Sequence, residues 1–330
     1  TIVVKYASRP LGTLTVNSYA YPTIDRNLLR ATLPYLSLLT PFTYRFDEEE
    51  LIPLRDEALV NAALQSRVAP VLHLSNLDEN ERFSGELAHE LLEDEDDQKE
   101  LIEEIVRTAE RRGYQWVDVD FEYILPEDRE SYAAFVGNLQ RAMNQEGYQV
   151  SVALAPKTSG EQKGLLYEGM DYGLLGANAD QVFLMTYEWG HQHGPAMAIA
   201  PINKVRQVLD YAVTEIPREK ILMGIPNYAY DWTQPFVRGE SVAEIMGNVE
   251  AVRRAAIHGA PIQYDETAQS PWYTYEQTGI AHEVWFEDVR SMEVKLRTAI
   301  SYGFLGIGYW NLMRPFRANW LLLQLLSGRF

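Results

Sequence analysis

The stretch YQWVDVDFEY, residues 114–123, holds three acids, Asp118, Asp120 and Glu122, in a run otherwise built mostly of apolar and aromatic residues. In an extended strand, residues i, i+2 and i+4 share a face. The acids then point one way, and Val117, Val119 and Phe121 the other. Neighbouring acids on that face stand about 6.6 Å apart at the usual rise per residue. At an effective dielectric near 20, each such pair repels by about 2.5 kcal/mol, which is worth roughly two pKa units. Partial burial pushes in the same direction. At least one acid is therefore expected to keep its proton near neutral pH, as a general acid must. On an exposed edge strand the same pattern is only a solvated acidic face, so the surroundings decide.

Strand-like runs recur at 14–21, 35–46, 69–76, 116–123, 148–156, 180–189, 220–230 and 305–312. Between them lie segments with apolar residues three and four apart, clearest at 49–66, 85–111, 129–145, 204–214 and 290–302. Strands alternating with helices imply a parallel sheet, and eight such units close into a (β/α)8 TIM barrel. An open doubly wound sheet is the competitor, but no glycine-rich phosphate loop follows the first strand. The barrel turns the acids inward and puts Glu122 nearest the C-terminal mouth, where barrel active sites lie. From about 233 to 288 the alternation lapses, and PIQYDETAQSPWYTYEQTGIAHEVWFED reads as short aromatic strands with turns. This predicts a small α+β insertion between the seventh strand and the last helix. Residues 1–12 are expected to be a linker or stub before a catalytic domain of residues 13–330. The acidic run EDEDDQKELIEE, residues 93–104, reads as the solvated face of a long helix.

With 47 acids against 29 bases, the net charge of −18 repels nucleic acid phosphates and anionic membranes. No apolar run approaches the roughly 20 residues that span a bilayer. The N-terminus TIVVKYASRP has no basic region followed by a long apolar block, so no signal peptide is visible. There is no cysteine, which excludes disulfides, thiol nucleophiles and cysteine metal sites. His191 and His193, in a glycine-containing stretch after the sixth strand, read as loop residues, and neither metal nor cofactor is expected. The aromatic residues gather late in the chain at strand ends, a placement that suits stacking on sugars as well as ordinary packing.

VDVDFEY resembles the fourth-strand D-x-D-x-E signature of glycoside hydrolase family 18, the chitinases and related N-acetylglucosaminidases. MTYEW (185–189), GIPNYAYDW (224–232) and GIGYWNL (306–312) are similar to that family's sixth, seventh and eighth strands. A narrower likeness, to the spore cortex-lytic N-acetylglucosaminidases, is carried by MTYEWG, EIPREKILMGIPNY, IQYDETAQSP and EVWFED. Such proteins often bear N-terminal LysM modules, and none is complete here. Gln115 and Trp116 stand where the family pattern often has Asp-Gly, and Glu188 where Asp commonly follows the tyrosine. Neither departure removes the acid or its helper.

The resemblance implies a retaining glycosidase in which the sugar's own 2-acetamido group is the nucleophile. By position, Glu122 becomes the acid/base, Asp120 the group that orients the acetamide and stabilises the oxazolinium, and Asp118 its proton-sharing neighbour. Tyr187 would donate to the acetamide oxygen and Trp310 would form the floor under the reacting sugar. Tyr228, Asn227 and Glu188 are side-wall candidates, and Trp272 and Trp285 line the groove or pack the insertion. The implied substrate is β-1,4-linked N-acetylglucosamine in peptidoglycan, particularly spore cortex fragments, met by a spore-associated or extracellular monomer. A chitinase acting on chitin oligomers is the alternative. A non-catalytic chitinase-like carbohydrate-binding protein is another, but such lectins commonly lack the acid at the position of Glu122.

Overall fold

The computed structural model describes residues 13–47 and 50–327, so the expected stub at 1–12 lies outside the described residues. Eight strands run parallel around a closed barrel: β1 Thr15–Ala20, β2 Leu38–Pro41, β3 Ala69–Ser75, β4 Trp116–Asp120, β5 Gln149–Leu154, β6 Gln181–Leu184, β7 Ile221–Pro226 and β8 Gly306–Trp310. Each is hydrogen-bonded to its neighbours in chain order, and β8 closes on β1 through Thr15 opposite Gly306. The strands are buried almost end to end, as both faces of a parallel barrel require. On β4, Val117 and Val119 alternate with Asp118 and Asp120, so one set meets the helical layer and the other the barrel interior.

Helices cover the outside. The run read as one helix over 85–111 is two, Gly85–Glu93 and Glu95–Arg112. Asp94 ends the first and caps the second, its carboxylate accepting from the amides of Asp96 and Asp97. Glu95, Asp96 and Asp97 fill the first turn and Arg111 and Arg112 the last, each sign opposite to the helix dipole beside it. The acidic run therefore builds a helix start. Outside the small sheet and its helix, Arg26–Thr32, Tyr172–Asn178 and Arg317–Ser327 are helices where no periodic run predicts one. All are short, so few apolar repeats exist to reveal them.

The run 220–230 also divides. Pro226 is the last residue of β7, and Asn227–Tyr228 carries the chain out of the barrel. Ala229–Gln234 then joins an antiparallel sheet between Glu244–Met246 and Ile280–Trp285, which continues to Ser270–Gln277 and Gln263–Asp265. This sheet begins four residues earlier than the expected boundary at 233, at Ala229. It packs its own apolar layer, with Tyr273, Tyr275 and Phe286 against Ala251 and Ala255 of the helix Asn248–Ile257. At its polar centre Asp231 takes bonds from Arg254 Nη1 at 2.6 Å and Tyr275 Oη at 2.6 Å, and meets His282 Nδ1 at 2.9 Å.

Candidate active site

Closure of the barrel gathers polar side chains that are far apart in the chain. The register sets His73 of β3 and Ser151 of β5 on either side of Asp118. Asp118 is 1% exposed and fully engaged: Tyr19 Oη donates to Oδ2 at 2.8 Å, and Ser151 Oγ donates to Oδ1. Burial raises the Asp118 pKa, against the opposing pull of His73 and Ser151.

Asp120, one pleat further on, meets His73 Nε2 at 3.2 Å through Oδ2, while its buried Oδ1 has no hydrogen-bond partner among the described residues. His73 is itself completely buried, and its Nδ1 meets Thr43 Oγ1 at 2.6 Å. An imidazole between a hydroxyl and a carboxylate has a donor available for the carboxylate whenever Nε2 carries hydrogen.

Glu122 lies two residues beyond the end of β4, outside the regular pleat. Its backbone is clamped by Asn76, whose Oδ1 accepts from the Glu122 amide at 2.9 Å and whose Nδ2 donates to the Glu122 carbonyl at 2.8 Å. The next residue, Tyr123, has a left-handed backbone with φ 59°, turning the chain away directly after the acid. The Glu122 pKa is pushed up to about 8, first by burial, then by Asp120 and Glu188. The expected proton-holding acid is thus Glu122, but the expected order of causes is reversed. Repulsion within the row comes second because the carboxyl lies in a mostly apolar cavity.

That cavity, of about 200 Å³, is lined by Glu122, Asp120, Glu188 and Tyr187 together with Phe42, Phe183, Met185 and Trp310, among others. Trp310 packs with its ring centroid 5.0 Å from that of Phe42 and 5.5 Å from that of Tyr19. Tyr187 is 9% exposed, and its hydroxyl has no hydrogen-bond partner among the described residues. Gly224 makes room for its ring: a β-carbon there would stand 2.9 Å from Tyr187 Cε1 and 2.3 Å from the Leu184 carbonyl oxygen. Glu188, exposed at the rim, accepts from the hydroxyls of Tyr228 and Tyr230.

Of the residues singled out in the sequence, Asn227, Tyr228, Trp272 and Trp285, like the buried Asp118, do not line this cavity. Asn227 donates to the carbonyls of Asn311 at 2.8 Å and Arg314 at 3.1 Å, fastening the exit of β7 to the loop after β8. Trp272 and Trp285 stack on each other across the small sheet, with centroids 5.5 Å apart. Tyr228 reaches the site through Glu188. Conversely Tyr19, His73, Asn76 and Ser151 were not singled out. Each sits at or just beyond a strand that reads as apolar core, and only the inward alternation marks it. A larger cleft of about 900 Å³ lies outside the barrel between the helices Glu95–Arg112 and Arg129–Gln145. There His89 faces both oxygens of Asp128 at 2.9 Å, and no unmatched acid of the barrel mouth is near. Size alone therefore does not locate the chemistry.

A carboxylic acid with a raised pKa, an aspartate with one oxygen unbonded among the described residues, a buried phenol and an indole around one small cavity suit acid-assisted cleavage of a sugar bond. The pattern of Glycosyl hydrolases family 18 matches residues 80–314. The cortical fragment-lytic enzyme of Bacillus subtilis (strain 168) is 39% identical over 322 residues, covering 96% of this chain and 75% of that protein. The crystal structure of the Bacillus cereus spore cortex-lytic enzyme SleL superposes with a TM-score of 0.93 at 38% identity, covering 97% of this chain and 75% of that one. The Bacillus megaterium QM B1551 SleL structure gives 0.94 at 35% identity, covering 99% and 76%. With the acid row, the closed barrel and these relatives in agreement, the chain belongs to glycosyl hydrolase family 18 and is a glycosidase related to the spore cortex-lytic enzymes.

Proposed function

We propose that this chain is an N-acetylglucosaminidase that cleaves β-1,4 bonds in peptidoglycan, specifically spore cortex fragments, with retention and by substrate assistance. The observation that carries the reading is the division of labour between Glu122 and Asp120. Glu122 is held protonated near neutral pH by its apolar surroundings, and the half-bonded Asp120 stands beside it. In the first step the Glu122 proton passes to the glycosidic oxygen and the bond from C1 to that oxygen breaks. The acetamide oxygen closes on C1, forming the positively charged oxazolinium. Asp120 accepts from the acetamide N–H and balances the charge, while Tyr187 donates to the acetamide oxygen. Water then gives a proton to Glu122 and attacks C1 from the side that the leaving group vacated, which restores the original configuration.

The substrate class is supported by the relatives at 39–40% identity that are called cortical fragment-lytic enzymes. The test is incubation with purified cortex muropeptides and, separately, with chitin oligomers, followed by mass spectrometry of the products. New reducing-end N-acetylglucosamine from the muropeptides, at a rate well above that from chitin, is expected. Faster cleavage of chitin would replace the cortex reading with that of a chitinase.

A further inference from the structure

Arg314 lies on the loop after β8, between Trp310 and the helix Arg317–Ser327. Its placement is built rather than free. Asn227 Nδ2 donates to its carbonyl at 3.1 Å. Its stem lies along Gly247, where an added β-carbon would stand 3.3 Å from Arg314 Cβ and 3.4 Å from Cδ. The residue is half-buried, yet among the described residues its guanidinium makes neither an ion pair nor a hydrogen bond. The groups that act on its charge are the phenols Tyr230, Tyr21 and Tyr228, all neutral at ordinary pH. Burial accordingly draws its pKa below the usual arginine value.

Tyr21 follows β1, Tyr228 follows β7 and Arg314 follows β8, so chain position sets all three at the C-terminal end of the barrel. Tyr21 lines a cleft of about 600 Å³ that shares Phe42, Phe83 and Trp310 with the catalytic cavity. Tyr228 and Tyr230 hold Glu188 on the cavity wall. A partly desolvated cation is costly without a partner, and this chain has 47 acids from which to supply one. In the small sheet it does so: Arg254 bonds both Asp231 and Glu244. For Arg314, among the described residues, it does not.

We propose that Arg314 is a carboxylate-binding residue, recognising an anionic, carboxylate-bearing unit of the glycan next to the N-acetylglucosamine being cleaved. The inference rests on the peptidoglycan reading above and deepens it. A guanidinium takes a carboxylate through two parallel hydrogen bonds, and burial strengthens the pair. Chitin, a neutral polymer, offers nothing to this residue. The glycan has two sources of the group: the lactyl ether of N-acetylmuramic acid, and the carboxylate of the first amino acid attached to it.

The test uses the whole enzyme and short glycans alternating N-acetylglucosamine with N-acetylmuramic acid. One carries the free lactyl acid and one a single alanine on it. Each is compared with its own methyl ester. For the recognised source, wild-type kcat/KM is expected to fall roughly 10- to 100-fold on esterification, the range for a hydrogen bond to a charged group. In Arg314→Gln, which keeps a stem along Gly247, the acid-to-ester ratio should collapse towards one. In Arg314→Lys, which keeps charge without the fork, it should be intermediate. The proposal is overturned if esterification leaves wild-type kcat/KM unchanged for both sources, a result independent of how any variant folds. It is also overturned if Arg314→Gln keeps the full acid-to-ester ratio. Failure of the peptidoglycan reading looks different, because wild type would then cleave none of the four glycans.

Discussion

Asp231 in the small sheet and Asp120 at the barrel mouth are both nearly closed to solvent, 3% and 6% exposed. Around Asp231 both carboxylate oxygens are matched, by Arg254, Tyr275 and His282. Around Asp120, among the described residues, Oδ2 alone has a partner, the His73 imidazole. The cations repeat the contrast, with Arg254 between two carboxylates and Arg314, among the described residues, with none. A buried charge completed by its own chain holds the fold together. One left incomplete at a cavity reserves its remaining bond for a ligand or for charge that develops in the reaction.

The largest effect that sharpens this contrast is in the acid row. Glu122→Gln keeps size and polarity but has no proton to give, and turnover should fall roughly 10²- to 10⁴-fold with sugar binding retained. Activity within a few-fold of wild type would remove Glu122 as the acid. The matching change in the small sheet should act on stability instead. Asp231→Ala leaves Arg254 partly unpaired and should cost about 3–5 kcal/mol in urea unfolding, with turnover per folded molecule kept. If it lost turnover and kept stability, the two centres would not differ as described. Smaller is Tyr187→Phe, which removes the hydrogen bond proposed to the acetamide and should lower kcat/KM by the equivalent of about 1–3 kcal/mol. An unchanged rate would place the hydroxyl outside the reaction.

Dependence on pH follows from the raised Glu122. The acid must be protonated to act, so kcat/KM should persist through neutrality and fall as pH rises past about 8. The same group bears on stability. Its folded pKa stands above its unfolded value, so between the two the native state binds more protons and stability declines as pH rises. Glu122→Gln should therefore unfold at higher temperature than wild type at about pH 9 and match it at about pH 4. A constant difference across that range would show that burial of the ionised carboxyl carries no cost.

Much of this was legible in the chain. The alternation in VDVDFEY gave the inward acid row, and the spacing of strand-like and helix-like runs gave the eightfold barrel. What remained hidden depends on closure. His73 in PVLHLS and Ser151 in QVSVAL look like isolated polar residues in buried strands until the register sets them beside Asp118. Asn76 acts through the Glu122 backbone, which no side-chain pattern reveals. The division of 220–230 is masked because Tyr228, Ala229 and Tyr230 continue the apolar and aromatic character past Pro226, where the strand itself ends. For Trp272 and Trp285 the chain left groove lining and packing of the insertion both open, and in the fold the two rings stack on each other across the small sheet.

The central claim is that this site stabilises a positively charged ring formed from the substrate's own acetamide. It is tested most directly by steady-state inhibition with the thiazoline analogue of N-acetylglucosamine, which mimics that ring. Competitive inhibition, far tighter than that by N-acetylglucosamine itself and weakened in Asp120→Asn, is the expected result. No inhibition beyond that of the parent sugar would contradict substrate assistance and point instead to a protein carboxylate as the nucleophile.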